Sequence, residues 1–282
     1  MSLPRTTKLS QKLKHKTCVM GILNVTPDSF FDGGSFYKKE DAVSRAMQMV
    51  EDGADIIDVG GESTRPGSIE TSIRHEMSRV VPVVRAIARR TKVFISVDTR
   101  KSRIAEEAIK AGASIINDVS GLLHDDRMAN VISKSRASVI VMHTRGIPEN
   151  MSRLTEYHDV VAEAIAELCH SIDLAVSAGI RHDRIIIDPG IGFAKKAMDS
   201  ITVINRLDEF KMLGYPVCVG ASRKSFIGKT LGYDDPSDRL YGSIAASVLA
   251  VARGANIVRV HDVRETVDAI RITDAVLNAR PN

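Results

Sequence analysis

The sequence has no tryptophan, only 4% aromatic residues and no apolar run of 18 residues. Without such a run there is no candidate transmembrane helix. Cysteine is scarce as well. Cys18, Cys169 and Cys218 are far apart, odd in number and never in a C-x-x-C pair. This argues against a disulfide scaffold and a cysteine metal site, and fits a reducing, cytoplasmic compartment. H-E-x-x-H is absent, and two other motifs fail on inspection. Gly228-Lys229-Thr230 looks like the end of a P-loop, but Arg223 stands where that loop needs its first glycine. Gly190-x-Gly192 lacks the third glycine of a dinucleotide fingerprint. Zincin, P-loop and NAD chemistry therefore drop out.

Acidic residues are missing from one stretch. Arg5, Lys8, Lys12, Lys14 and Lys16 precede the first acid, Asp28. Of 39 Lys and Arg these five lie there, and the other 34 face 35 Asp and Glu, so the net charge of +4 belongs to the start of the chain. A neutral body argues against nucleic acid as a partner. Residues 1–17 read as a solvated basic tail ahead of a body spanning 18–282. Their first 16 residues hold no apolar core of a signal peptide.

What is present is an ordinary soluble mixture, 44% hydrophobic and 26% charged over 282 residues. That suits one α/β barrel, which commonly takes roughly 250 residues. Apolar, mostly β-branched runs fall at 18–23, 55–59, 93–97, 114–117, 138–142, 184–187, 216–219 and 256–260, each followed by room for a helix. Segment 236–253 predicts one such helix, with Asp235 as cap, Pro236 in its first turn, and Leu240, Ile244, Val248 and Val251 as its apolar stripe. Gly53-Ala54-Asp55, Gly112-Ala113-Ser114 and Gly254-Ala255-Asn256 each stop a helix and start a buried strand. Repeated βα units imply a parallel sheet with helices outside it. Polar clusters follow nearly every strand, which favours a closed (β/α)₈ TIM barrel of one domain over an open sheet with a single switch point.

Those clusters are the candidate site. Asn24 ends the first run, where a carboxamide suits a hard cation or a phosphate, though it equally suits a turn before Pro27. Gly60-Gly61-Glu62-Ser63-Thr64-Arg65 pairs close backbone approach with a planar cation, or is a flexible loop. Asp98, Asn117 and Asp188 follow buried strands, and acids beside an amide suit a guanidine-like heterocycle. Gly220-Ala221-Ser222-Arg223-Lys224 lies where such barrels bind phosphate. Arg259 and His261, two apart on the last strand, face the same side. Three cations on adjacent strand ends read as an anion site. His143 ends the fifth run with no clear role.

Together, G-I-L-N-V-T-P-D-S-F at 21–30, G-G-E-S-T-R-P-G at 60–67, S-V-D-T at 96–99, I-N-D at 116–118, D-P-G-I-G-F at 188–193, S-R-K-S at 222–225 and R-V-H-D at 259–262 resemble the dihydropteroate synthases, in order and over nearly the whole chain. The resemblance implies condensation of a dihydropterin pyrophosphate with p-aminobenzoate, in a homodimer and with sulfonamides as mimics of p-aminobenzoate. It implies pterin contacts from Asp98, Asn117, Met142, Asp188, Phe193, Gly220 and Lys224. Asn24, Arg259 and His261 would meet the pyrophosphate, with Asn24 on Mg²⁺. Phe30, Thr64, Arg65, Pro66 and Ser222 would shape the p-aminobenzoate pocket, the first four from lid loops at 26–36 and 61–68. Asp32, Arg65, Lys224, Arg259 and His261 form the implied catalytic set. Ala194 stands where such proteins often carry glycine, and the loop after strand five reads His143-Thr144-Arg145-Gly146. Two rival readings are a corrinoid-linked methyltransferase module and a pterin-binding paralogue without catalysis.

Overall fold

All eight runs form strands, and every pairing between them is parallel. A computed structural model, which describes residues 5–26, 39–64 and 67–279, places β1 at Cys18–Asn24, β2 at Ile56–Gly60, β3 at Phe94–Asp98 and β4 at Ile115–Asp118. β5 spans Ser138–Met142, β6 Ile185–Asp188, β7 Cys218–Val219 and β8 Ile257–Val260. Neighbours run β6-β5-β4-β3-β2-β1-β8-β7, and the bridge Ile187–Val217 brings β7 to β6, closing the barrel. Pairing is short there because Pro216 has no N–H to donate. Its carbonyl still accepts from Ile187 N at 2.9 Å.

Helices alternate with the strands: α1 (Arg5–Leu13), α2 (Lys39–Glu51), α3 (Ile73–Arg90), α4 (Ser102–Ala111), α5 (Met128–Ser133), α6 (Val160–Ser177), α7 (Ala197–Asn205), α8 (Ser225–Leu231), α9 (Leu240–Ala252) and α10 (Val263–Leu277). Strand residues such as Ile57, Val59, Ile116 and Val258 point outward into one apolar layer against these helices. Their neighbours Ile56, Ile115 and Ile257 point inward into a second layer. With both faces covered, the strands read as continuous apolar runs. The repeated junction works as its sequence suggests. Gly112 has φ +121°, and a Cβ there would lie 2.7 Å from Ala88 Cβ. Ala113 N then bonds Ala108 O at 2.9 Å and Ser114 N starts the ladder on Ile95 O at 2.8 Å.

Two expectations need correction. The basic start of the chain is not a solvated tail over its described part. Leu9 and Leu13, one helical turn apart on α1, are buried beneath the barrel against Cys18, Met20, Ile56 and Ile257. Lys12 and Lys16 reach Asp55 at 2.5 and 2.9 Å. Burying a leucine is worth about 1.5–3 kcal/mol, enough to draw a basic helix under the barrel. The second correction is the stripe of α9. Its buried face is Ser243, Ala246, Ser247, Ala250 and Val251, so small residues pack on the barrel. Asp235 caps a 3₁₀ turn at Pro236–Arg239 that precedes the helix, accepting from Ser237 N at 2.7 Å. Among the described residues no helix is long and apolar enough to cross a membrane, and all three cysteines are free.

Candidate active site

Side chains two apart on a strand face the same way, and that period builds the site. Ile56, Ile115, Ile140, Ile186, Cys218 and Ile257 form the inner apolar layer with Leu9 and Leu13. Two residues on, Asp58, Asn117, Met142, Asp188, Gly220 and Arg259 occupy the same interior, now at the C-terminal ends of the strands. Asp98 pairs with Asn117 in the ladder, and Asn24 pairs with Gly60 at the ends of β1 and β2. The expected polar clusters thus converge on one mouth.

Arg259 is the hub of that mouth. Its Nε donates to Asp58 Oδ2 at 2.6 Å and its Nη2 to Asp98 Oδ2 at 2.8 Å. Asn117 Nδ2 donates to the same Asp58 oxygen at 3.2 Å. Burial opposes the charge on Arg259, but Asp58 and Asp98 outweigh it and raise its pKa. Burial pushes the Asp98 carboxyl up to about 7, against the pull of Arg259 and aided by repulsion from Asp58. Asp188 is also raised by burial, although Gly190 N donates to it at 2.7 Å. Buried acceptors of this kind need N–H donors to satisfy them, which a flat heterocycle with amide-like edges supplies.

Lys224 faces the hub from the loop after β7. Its Nζ lies 4.0 Å from the centroid of the Phe193 ring. Burial, and then Arg259, lower its pKa to about 8. Ser222 Oγ and His261 Nδ1 are 3.1 Å apart, and His261 N donates to Ser222 Oγ at 3.2 Å. The expected cluster of cations shrinks here. Burial and Arg259 hold His261 down to about 3, so its imidazole is neutral. Arg223 turns away to Asp262, at 3.0 and 2.5 Å. Arg259 and Lys224 remain as the charged pair, and a bound anion would raise the proton affinity of His261.

Met142 is buried at the end of β5, level with Asp188 in the ladder. Thr64 is half-buried at the last described position before 67. Phe30, Asp32, Arg65 and Pro66 lie outside the described residues, as does all of the 26–36 loop after Thr26, whereas only Arg65 and Pro66 of the 61–68 loop do. Behind the second loop, Glu62 accepts from Thr71 N at 2.6 Å, Lys101 Nζ at 2.9 Å and Arg100 Nη2 at 3.2 Å. Lys101 also reaches Glu76 at 2.8 Å. This buried cluster fixes both ends of the loop. Sequence reading missed Lys101 and, more importantly, Asp58. The signal for Asp58 was a lone charge inside the apolar strand Ile56-Ile57-Asp58-Val59. His143 is a framework residue, buried and bonded through both ring nitrogens, to Glu167 at 2.9 Å and Lys195 at 2.7 Å.

The family described as pterin binding enzyme matches residues 20–261. The dihydropteroate synthase of Bacillus subtilis is 48% identical over 265 residues, covering 94% of this chain and 90% of the relative. The crystal structure of dihydropteroate synthase from Clostridium difficile in the presence of pteroic acid aligns with a TM-score of 0.88 at 46% identity, over 94% of this chain and 98% of that one. That of the Yersinia pestis enzyme with a sulfonamide drug aligns with a TM-score of 0.89 at 42% identity, over 95% and 96%. Identity this high, along nearly the full length of both partners, selects the synthase over the methyltransferase module and the non-catalytic paralogue. The chain belongs to the pterin binding enzymes, among the dihydropteroate synthases of folate synthesis.

Proposed function

We propose that the barrel mouth condenses 6-hydroxymethyl-7,8-dihydropterin pyrophosphate with p-aminobenzoate, its residues dividing the work by depth. The observation that carries this reading is the Arg259 hub, a cation fixed by two buried carboxylates next to the Lys224 ammonium. Asp98, Asn117 and Asp188 accept from or donate to the edge of the pterin, Lys224 bonds it, and Met142 and Phe193 cover its faces. Gly220 borders the same space beside Arg259, where a Cβ would stand in ordinary contact at 3.8 Å from Arg259 Cβ. Above the ring, Arg259 presents its Nη1 donors to the pyrophosphate, and His261 joins it as a neutral donor or, once the anion is bound, a cation.

The C–O bond between the pterin methylene and the pyrophosphate breaks first. Negative charge grows on the departing oxygen, where fixed donors and cations stabilise it. The amine nitrogen of p-aminobenzoate then forms the C–N bond and releases a proton. No protein nucleophile is needed. Ser222 meets the p-aminobenzoate carboxylate at the rim, with Phe30, Thr64, Arg65 and Pro66 shaping the pocket and Asp32 completing the catalytic set. Exclusion of water by these loops protects the electron-poor methylene carbon from hydrolysis. A sulfonamide, the drug class bound to the Yersinia pestis relative, takes the p-aminobenzoate place.

The donors also fit Mg²⁺. Among the described residues no three His, Cys, Asp or Glu side chains gather into a cage. Asn24 offers one hard oxygen at the mouth, 3.6 Å from where a Cβ on Gly60 would stand. One protein oxygen, completed by waters and substrate phosphate, is how Mg²⁺ usually binds. When bound, the ion supplies charge neutralisation to the pyrophosphate. The test is pyrophosphate release with dihydropteroate formation, each of the two substrates and Mg²⁺ being omitted in turn. Release without p-aminobenzoate at the full rate would overturn the reaction. Asn24→Ala is expected to raise the Mg²⁺ concentration at half-maximal rate by about tenfold; an unaltered Mg²⁺ titration removes Asn24 from the metal.

The proposed assembly is a cytoplasmic homodimer. It is supported by apolar side chains left exposed on adjacent helices, Tyr241 and Leu249 on α9 with Ile272 and Val276 on α10. Sedimentation at twice the chain mass of 30.7 kDa is the expected result. A monomer at micromolar concentration refutes the dimer.

A further inference from the structure

A second buried polar cluster lies outside the mouth. Lys195 is buried behind the ends of β5 and β6, and its Nζ donates to His143 Nδ1 at 2.7 Å and to Phe193 O at 3.2 Å. His143 Nε2 bonds Glu167 Oε2 at 2.9 Å, and Glu167 in turn accepts from Arg145 Nε at 2.9 Å. Burial lowers His143 to about 4 and Lys195 to about 7. The imidazole is therefore neutral, with its proton on Nε2 toward Glu167 and its Nδ1 lone pair toward the amine. His143 N also donates to Asp188 O at 2.9 Å, so the cluster touches the backbone on both sides of the turn that follows β6.

That turn folds back on itself through three left-handed residues, Gly190 at φ +69°, Gly192 at +76° and Ala194 at +45°. At Gly190 a Cβ would lie 1.9 Å from His143 O and 3.4 Å from Lys195 Nζ, so glycine is obligatory there. At position 194 the chain carries a side chain in a conformation L-residues avoid, and Ala194 is buried. Something must hold that corner, and Lys195 is the next residue.

We propose that Lys195 is a positioning residue of the pterin pocket, whose buried amino group grips His143 and the Phe193 carbonyl and so holds segment 190–194 in its left-handed form, with the Phe193 ring under Lys224. The role rests on the reading above that Phe193 and Lys224 line that pocket. Lys195 itself touches no substrate.

The test is steady-state kinetics of the intact enzyme. Lys195→Met is expected to raise KM for the dihydropterin pyrophosphate about tenfold, as displaced binding groups do, with KM for p-aminobenzoate unchanged. Ala194→Gly alone stays near the parent values. In the double variant, glycine accepts the left-handed corner without the clamp and restores most of the lost pterin affinity. A normal pterin KM in Lys195→Met, or a loss that Ala194→Gly does not relieve, overturns the proposal. If Lys195→Met fails to fold, Glu167→Ala at the half-exposed end of the relay decides instead. A pterin KM raised about threefold supports the clamp and no change refutes it. Phe193→Ala separates the two readings. An unmoved pterin KM there removes the pocket assignment, whereas a raised one beside a normal Lys195→Met removes only the clamp.

Discussion

Lys224→Ala is expected to lower kcat/KM for the dihydropterin pyrophosphate by about a hundredfold to a thousandfold while the barrel stays folded. A charge-assisted hydrogen bond is worth about 1.5–3 kcal/mol, and a donor that stabilises a developing anion in a dry site about 2.7–4 kcal/mol. Lys224 supplies both kinds of contact in the proposed mechanism. Its ammonium sits at 4.0 Å over Phe193, between the pterin acceptors and the pyrophosphate donors. Folding does not depend on it in the same way. Lys224 opens α8 without a side-chain capping bond, and its backbone bonds to Ala221 and Ile227 remain. Because its pKa is lowered to about 8, the protonated form that binds is lost above that pH. The kcat/KM profile should fall as pH rises through about 8. Lys224→Arg keeps its charge at any such pH and should carry the alkaline limb upward. Normal turnover in Lys224→Ala removes the residue from the site.

How much of this was legible in the sequence follows from which physical signal each part left. The strands were legible because both faces of each are buried, which forces apolar runs, and because glycines such as Gly112 mark where helices end. The mouth was legible where a polar residue came at or just after the end of a run, as with Asn117, Asp98 and Asp188. Asp58 was hidden by the same logic. It lies inside its strand, where a charge looks like an exception and not a ligand, and only closure of the barrel brings it to Arg259. The Lys195 cluster joins residues more than 20 positions apart, and no spacing announces it. At α1 the signal was present, Leu9 and Leu13 at helical spacing, but the run of lysines outweighed it. His261 illustrates the limit on charge. Its place at the end of the last strand was legible, yet its protonation is set by burial and by Arg259, which only packing determines.

Asp58→Asn is expected to lower kcat/KM for the pterin substrate by about thirtyfold to a hundredfold, although Asp58 makes no contact with substrate in the mechanism. One oxygen of Asp58 takes Arg259 Nε at 2.6 Å and Asn117 Nδ2 at 3.2 Å. A carboxamide can accept one of these donors well but carries no charge, so Arg259 is left with Asp98 alone. Loss of a charged acceptor for a buried cation costs about 2–3 kcal/mol, consistent with that decrease. Stability falls too, by up to about 3 kcal/mol, as when a buried ion pair loses one partner. Stability alone would not show that the residue orients the site, but the pH profile does. The free enzyme needs Asp98 ionised to accept from the pterin, so kcat/KM rises with pH through its pKa. Repulsion from Asp58 is one reason that pKa stands near 7. Removing the charge must lower it, and the acid limb of kcat/KM should move to lower pH even as the plateau drops. A purely structural Asp58 would reduce the yield of folded enzyme and leave both the limb and the pterin KM of the folded fraction where they were. An acid limb that stays near 7 with an unchanged pterin KM would reject the hub as drawn, and with it the claim that Arg259 is aimed by two carboxylates.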